Sequence, residues 1–249
     1  MKSKGEKIVC LTAYDFTSGL ICDAAGADLV LVGDSLGTVI HGAAGTTAVT
    51  LEDVVYHVRI TKRGVERALL VADMPLGSYG ASVSQSVESA CALVKAGAEA
   101  VKLEGVYTDE VAAIVKTGVP VMGHLGMTPQ SVNVFGGHRV QGRGESGKGL
   151  IEGAKALEQA GVFAIVLELV TAELAEKLTR SVAVPTIGIG AGPGCDGQIQ
   201  VWHDVVGLWE RPYKHAKRYA NGRASFLRGL RKYAQEVRDG SFPGPENSF

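Results

Sequence analysis

Four apolar runs in this chain stop on an acid. Leu29-Val30-Leu31-Val32 leads through Gly33 to Asp34 and Ser35; Leu69-Leu70-Val71-Ala72 ends in Asp73; Ala100-Val101-Lys102-Leu103 ends in Glu104; Ala164-Ile165-Val166-Leu167 ends in Glu168. A buried strand gains no stability from a terminal carboxylate, whose desolvation is costly without a positive neighbour. Four such endings point to acids gathered around one mouth. Lys102 and Glu104 lie two apart on one strand and share a face; a structural ion pair is the lesser alternative for them. Asp34, Asp73 and Glu104 around one point would raise one another's pKa unless a cation neutralised them. Oxygen-only donors suit Mg²⁺ or a similar hard ion better than zinc. The expectation is a divalent-metal site with open coordination positions. Glu168 is then free to serve as a general base, or else pairs with a loop arginine such as Arg139 or Arg143. Ser35 either hydrogen-bonds a substrate carboxylate or caps the turn after Asp34. His124 ends a fifth apolar run, where it donates to a substrate oxygen or holds the fold.

The elements that must position these groups alternate regularly. Strands are expected at Ile8–Leu11, from Leu29 to Asp34, and over 68–73, 100–104, 119–124, 162–168 and 184–190, with a weak eighth in 200–208. Helices are expected from Asp15, as N-cap, to Ala25, and from Leu51 to Arg63 behind a Thr50/Asp53 capping box. Further helices fall at Ser84–Ala96, Asp109–Thr117, Leu150–Ala160 and Ala172–Arg180. The segment from Leu125 to Gly149 is the longest irregular stretch, a length that in compact domains is usually functional. Gly188-Ile189-Gly190-Ala191-Gly192 reads as a turn needing room or as a phosphate cradle.

Seven or eight strand–helix units without a linker predict one (β/α)8 barrel spanning residues 1–249. An open doubly wound sheet is the alternative, but its site would gather at one switch point rather than at several strand ends. A C-terminal extension of about 210–249 carries Leu227, Leu230, Ala234 and Val237 at helical spacing. Arg223, Arg228, Arg231, Lys232 and Arg238 lie on its other faces. It reads as a final amphipathic helix or as a docking element for a neighbouring subunit.

The 249 residues are 46% hydrophobic and 20% charged, with a net charge of −1 and a pI near 6.6. Such a balance gives no electrostatic basis for binding nucleic acid, and no apolar run approaches the roughly 20 residues of a membrane span. The N-terminus lacks the apolar region of a secretory signal. Cys10, Cys22, Cys91 and Cys195 show no paired spacing, so neither zinc nor a disulfide framework is expected. A cytoplasmic location follows.

Beyond these patterns, the chain resembles the ketopantoate hydroxymethyltransferase family along nearly its whole length. The matching stretches include Leu11-Thr12-Ala13-Tyr14-Asp15, Val32-Gly33-Asp34-Ser35-Leu36-Gly37, Ala72-Asp73-Met74-Pro75 and Val101-Lys102-Leu103-Glu104-Gly105. Others are Gly123-His124-Leu125-Gly126-Met127-Thr128-Pro129-Gln130-Ser131, Val140-Gln141-Gly142-Arg143, the Glu168 strand end, residues 187–192 and Asp196-Gly197-Gln198. The resemblance implies a barrel of the phosphoenolpyruvate/pyruvate type. It also implies one Mg²⁺ per subunit held through Asp34, Asp73 and Glu104, and a keto acid contacted by Asp34, Ser35, Asp73 and Lys102. Glu168 would be the proton acceptor. The implied reaction transfers a hydroxymethyl group from 5,10-methylenetetrahydrofolate to 3-methyl-2-oxobutanoate, giving 2-dehydropantoate for pantothenate synthesis. Family members are commonly homodecamers of two pentamers, a role for the C-terminal helix. One departure is a short leader, about six residues before the first strand. The nearest rival is a magnesium-dependent lyase or mutase of the same superfamily, acting on an oxaloacetate- or phosphonopyruvate-like acid. A non-catalytic keto-acid-binding barrel is a rival of another class.

Overall fold

The computed structural model describes residues 1–144, 146–209 and 213–249, with Ser146 described in its backbone alone. The chain divides into two compact units, Met1–Trp202 and His203–Phe249. In the first, eight parallel strands close into a barrel in sequence order. They are β1 Ile8–Thr12, β2 Leu29–Val32, β3 Leu69–Asp73, β4 Ala100–Glu104, β5 Val121–Gly126, β6 Ala164–Glu168, β7 Thr186–Ile189 and β8 Gly197–Gln200. The helices are α1 Phe16–Ala24, α2 Leu36–Val39, α3 Leu51–Lys62, α4 Val83–Ala96, α5 Thr108–Lys116, α6 Val132–Phe135, α7 Ser146–Ala160, α8 Ala172–Ser181, α9 Trp202–Val205 and α10 Gly222–Asp239. The open-sheet alternative is thereby excluded.

Alternation along each strand sorts its side chains into two cores. Leu31, Val71, Ala100, Met122, Ala164, Val166, Ile187 and Ile199 fill the barrel interior. Val30, Val32, Leu70, Val101, Leu103, Val121, Ile165 and Leu167 face outward and meet helix residues such as Val58, Leu93, Ile114, Leu157 and Leu178. Strands covered on both sides read as continuous apolar runs, which is why they stand out in the sequence.

Caps fix the helix entries. The Asp15 carboxylate accepts the Ser18 N–H at 2.7 Å, and Ser18 returns the bond to the Asp15 N–H, closing a capping box. Thr50 and Asp53 form the expected box at the start of α3. Two boundaries differ from expectation. The eighth strand lies at Gly197–Gln200, before the expected 200–208, and Trp202–Val205 is a helical turn. Gly197 pairs with both β1 and β7, and a Cβ there would meet the Ile8 carbonyl oxygen at 2.5 Å. Helix α7 begins at Ser146 rather than Leu150, so the irregular stretch is shorter than expected; it also holds a 3₁₀ turn, Pro129–Ser131, and the single turn α6.

In the second unit α10 is amphipathic, with no buried residue, and Leu227, Leu230 and Val237 are exposed. The expected start of the extension, at about residue 210, lies outside the described residues.

Candidate active site at the barrel mouth

Strand parity carries most of the site. Asp73 continues the inward series Leu69, Val71; Lys102 and Glu104 follow Ala100; His124 follows Met122; Glu168 follows Ala164 and Val166. The ladder sets Asp73 opposite Lys102 and Glu104 opposite His124. At these C-terminal strand ends the Lys102 ammonium lies 2.7 Å from Asp73 Oδ1 and 3.9 Å from Glu104 Oε1. His124 Nδ1 stands 3.3 Å from Glu104 Oε1, and its Nε2 stands 3.3 Å from Glu168 Oε2. Asp34, Asp73, Lys102, Glu104 and His124 are all buried, while Glu168 keeps partial exposure at the rim.

Asp34 arrives differently. Strand β2 ends at Val32, and it is the turn through Gly33 into α2 that brings Asp34 over the mouth, its N–H donating to Asp73 Oδ2 at 3.2 Å. A Cβ at Gly33 would sit 2.9 Å from Ser35 Oγ, which leaves little room for another residue in that turn. Ser35 occupies the N-cap position of α2 without capping it; its hydroxyl hydrogen-bonds Tyr14 Oη at 2.8 Å. The capping alternative for Ser35 is therefore not what its side chain does.

Three residues with no assigned role in the sequence reading complete the mouth. Gln130, in the 3₁₀ turn after β5, donates its amide to Asp34 Oδ2 at 2.9 Å and to the Met74 carbonyl at 3.0 Å, and its backbone N–H to Glu104 Oε2 at 3.0 Å. Tyr79 donates to Gln130 Oε1 at 2.7 Å and accepts the Glu104 N–H at 3.1 Å. Tyr14 is the partner of Ser35. All three are uncharged, so no imbalance of charge flags them; Tyr14 and Gln130 are visible only as members of longer motifs.

The electrostatics are those of an acid-rich pocket. Burial, then the Asp73 and Glu104 charges, hold the Asp34 carboxyl well above the usual carboxylate range. Burial also raises Asp73, and the facing Lys102 ammonium only partly offsets it. Burial would raise Glu104 too, but His124, Lys102 and the Gln130 N–H bring it below its ordinary value. Burial works against charge on Lys102, yet the three acids prevail and its pKa rises. For His124, burial and Lys102 favour the neutral ring, whereas Glu104 and Glu168 outweigh them and lift it to about 9. Four carboxylates thus face two cations, an excess of two negative charges when all are ionised. That excess and an all-oxygen donor set match one hard dication. Asp73 Oδ1 is buried with the Lys102 ammonium 2.7 Å away as its ion-pair partner, and a carboxylate oxygen so placed keeps a second lone pair for a cation. Among the described residues no three His, Cys, Asp or Glu side chains stand with ligand spacing as they are; Lys102 and Gln130 engage the carboxylate oxygens instead.

The rim is backbone-rich and tight. Leu169, directly after Glu168, has φ of 47°, in the left-handed region that a branched side chain rarely adopts. The Glu168 carbonyl accepts the Met127 N–H at 2.8 Å, and a Cβ at Gly126 would meet that oxygen at 2.3 Å. Gln141 forms an isolated bridge with Val170, just past β6, its N–H donating to the Leu169 carbonyl at 2.7 Å. The glycine string that begins in β7 makes a turn needing room: Gly190 and Gly192 have φ of 65° and 78°, and a Cβ at Gly192 would meet Ala172 Cβ at 2.6 Å.

Comparison with known proteins places this arrangement in context. The family model described as ketopantoate hydroxymethyltransferase matches residues 1–245. The chain is 49% identical to the 3-methyl-2-oxobutanoate hydroxymethyltransferase of Pyrococcus furiosus, over 99% of this chain and 89% of the relative. It is 51% identical to the enzyme of that name from Moorella thermoacetica, over 100% and 94%. Among solved structures, a 2,3-dimethylmalate lyase superposes with a TM-score of 0.63 at 16% identity, covering 98% of this chain and 86% of that one. A phosphonopyruvate hydrolase reaches 0.64 at 13%, covering 98% and 89%. At such identities the structural neighbours share the fold alone.

Proposed function

Since this chain belongs to the ketopantoate hydroxymethyltransferase family, we propose that it transfers a hydroxymethyl group from 5,10-methylenetetrahydrofolate to 3-methyl-2-oxobutanoate, giving 2-dehydropantoate with Mg²⁺ at the barrel mouth. Its relatives carry the name of that hydroxymethyltransferase, which supports the reaction and its place in pantothenate synthesis. Relatives at about half identity argue against the lyase and mutase readings that the fold neighbours share. The observation that carries the mechanism is the meeting of Asp73, Lys102, Glu104, His124 and Glu168 at adjacent strand ends.

Asp34, Asp73 and Glu104 would hold the Mg²⁺, which when bound stabilises negative charge developing on the keto acid oxygens. The residues of the chain supply the rest. Ser35 and Lys102 bind the substrate carboxylate and keto oxygens, and the Lys102 ammonium, kept charged by its acids, counters charge at the keto oxygen. Glu168 takes the proton from C3 onto a carboxylate oxygen, and the electron pair left at C3 forms the bond to the one-carbon unit; the two C–N bonds holding that carbon to the folate give way to this C–C bond and to a C–O bond from one water, and the proton from C3 and the proton from that water end on the two folate nitrogens as tetrahydrofolate leaves. His124 holds the Glu168 carboxylate at the mouth through Nε2. In the cell the protein works in the cytoplasm as a homodecamer of two pentamers.

The test is product analysis with a ¹³C-labelled methylene donor, 3-methyl-2-oxobutanoate and Mg²⁺. The expected product is 2-dehydropantoate labelled in its hydroxymethyl carbon. Folded enzyme that consumes neither substrate contradicts the proposal.

A further inference from the structure

Every hydrogen-bonding group of the Gln130 side chain is engaged, together with its backbone N–H, within a residue 6% exposed. Its two amide hydrogens go to Asp34 Oδ2 and the Met74 carbonyl, its carbonyl oxygen takes the Tyr79 hydroxyl, and its N–H holds Glu104 Oε2. Asp34 needs such a tether because it lies beyond the strand, on a turn that the barrel ladder does not fix. Glu104 is fixed by its strand, with Oε1 facing His124 and Lys102, and the Gln130 N–H holds the other oxygen, Oε2. Gln130 joins the two acids from outside, through a neutral donor that adds no charge to an acid-rich pocket. Two acceptors, Asp34 Oδ2 and the Met74 carbonyl, face Nε2, and the Tyr79 hydroxyl, which also lies 3.3 Å from the Glu104 carbonyl, makes its shorter bond to Oε1, so together they set the amide's direction.

We propose that Gln130, oriented by Tyr79, is a positioning residue that holds the Asp34 and Glu104 carboxylates in the disposition that receives the divalent cation. The inference rests on the metal reading under Proposed function. Groups that hydrogen-bond metal ligands commonly govern affinity by about 10–100-fold.

The experiment measures free Mn²⁺ by electron paramagnetic resonance during titration of substrate-free protein, with thermal unfolding of each sample in parallel. Gln130→Met keeps the length and removes the side-chain bonds; Mn²⁺ should bind about 10–100-fold more weakly than to the parent. Tyr79→Phe, which leaves Gln130 in place but frees its amide to turn, should show a smaller loss in the same direction. Thr50→Ala, in the distant α3 cap, lowers stability and should leave Mn²⁺ affinity unchanged, which separates positioning from general destabilisation. Parent-like affinity in folded Gln130→Met overturns the inference, and if that variant does not fold, parent-like affinity in Tyr79→Phe does so. A parent protein that binds no Mn²⁺ overturns the metal reading itself, and the inference with it.

Discussion

At the scale of single residues, the site is a contest between charge and burial that neither side wins alone. Lys102 cannot neutralise three buried acids, and this residual imbalance, more than any one distance, makes a dication the natural complement of the pocket. Two substitutions probe it. Glu168→Gln keeps shape and hydrogen bonding but removes the proton acceptor, so C3 exchange should fall at least 100-fold while keto acid binding persists, read by NMR and calorimetry. Asp73→Asn removes a buried charge and should abolish Mg²⁺-dependent keto acid binding; unchanged metal affinity would remove Asp73 from the ligand set. Asp73, Glu104 and Glu168 were legible because an acid ending an apolar run is conspicuous against its costs, and Lys102 because it shares a strand face with Glu104. Gln130 and Tyr79 were not legible as site residues, since neutral groups carry no such cost and reach the mouth through loop geometry. The charge state of His124 also lay beyond the sequence, because it depends on Glu104 and Glu168 lying on either side of one ring.

Elements position these residues through their ends. Asp23, in the last turn of α1, accepts the backbone N–H groups of Ala68 at 2.7 Å and Arg67 at 3.1 Å, just before β3 begins. Burial alone would raise its pKa, but those N–H donors lower it. The ionised form therefore favours the folded state. Its contribution is full above the unfolded value near 4 and is lost as pH falls through the lower folded value. Asp23→Asn should cost about 1–3 kcal/mol at neutral pH, with the gap to the parent narrowing below about pH 4, as denaturation at several pH values would show. Thr50→Ala should cost about 1 kcal/mol through loss of the α3 cap. Helix starts marked by Asp15 and Thr50 were legible because capping is local chemistry. The eighth strand was not, because Gly197–Gln200 has only two apolar-compatible positions and gains its strand conformation from the flanking β1 and β7. The early start of α7 is not legible for a similar reason: Gly147 and Gly149 weaken helical preference, and Leu174 packs against Gly147.

The molecule as a whole joins a closed barrel, whose mouth holds the acids, to a second unit whose helix α10 exposes Phe226, Leu230, Tyr233 and Val237 at helical spacing. In the proposed decamer this apolar stripe would supply an association surface. For the proposed decamer of a 26.0 kDa chain, sedimentation should give about 260 kDa, ten times the chain mass. Leu230→Lys should lower that mass, and a monomeric parent would exclude the decamer. The barrel itself was legible from alternation and length, whereas nothing in one chain's periodicity specifies how copies meet. The central claim, that this mouth enolises a branched keto acid with a divalent cation, is tested most directly by following the C3 proton of 3-methyl-2-oxobutanoate by NMR in deuterated water, with tetrahydrofolate present. Loss of that signal with Mg²⁺, and its persistence without Mg²⁺ or in Glu168→Gln, is the predicted result. An undiminished signal in the presence of folded parent protein, Mg²⁺ and folate would contradict the account.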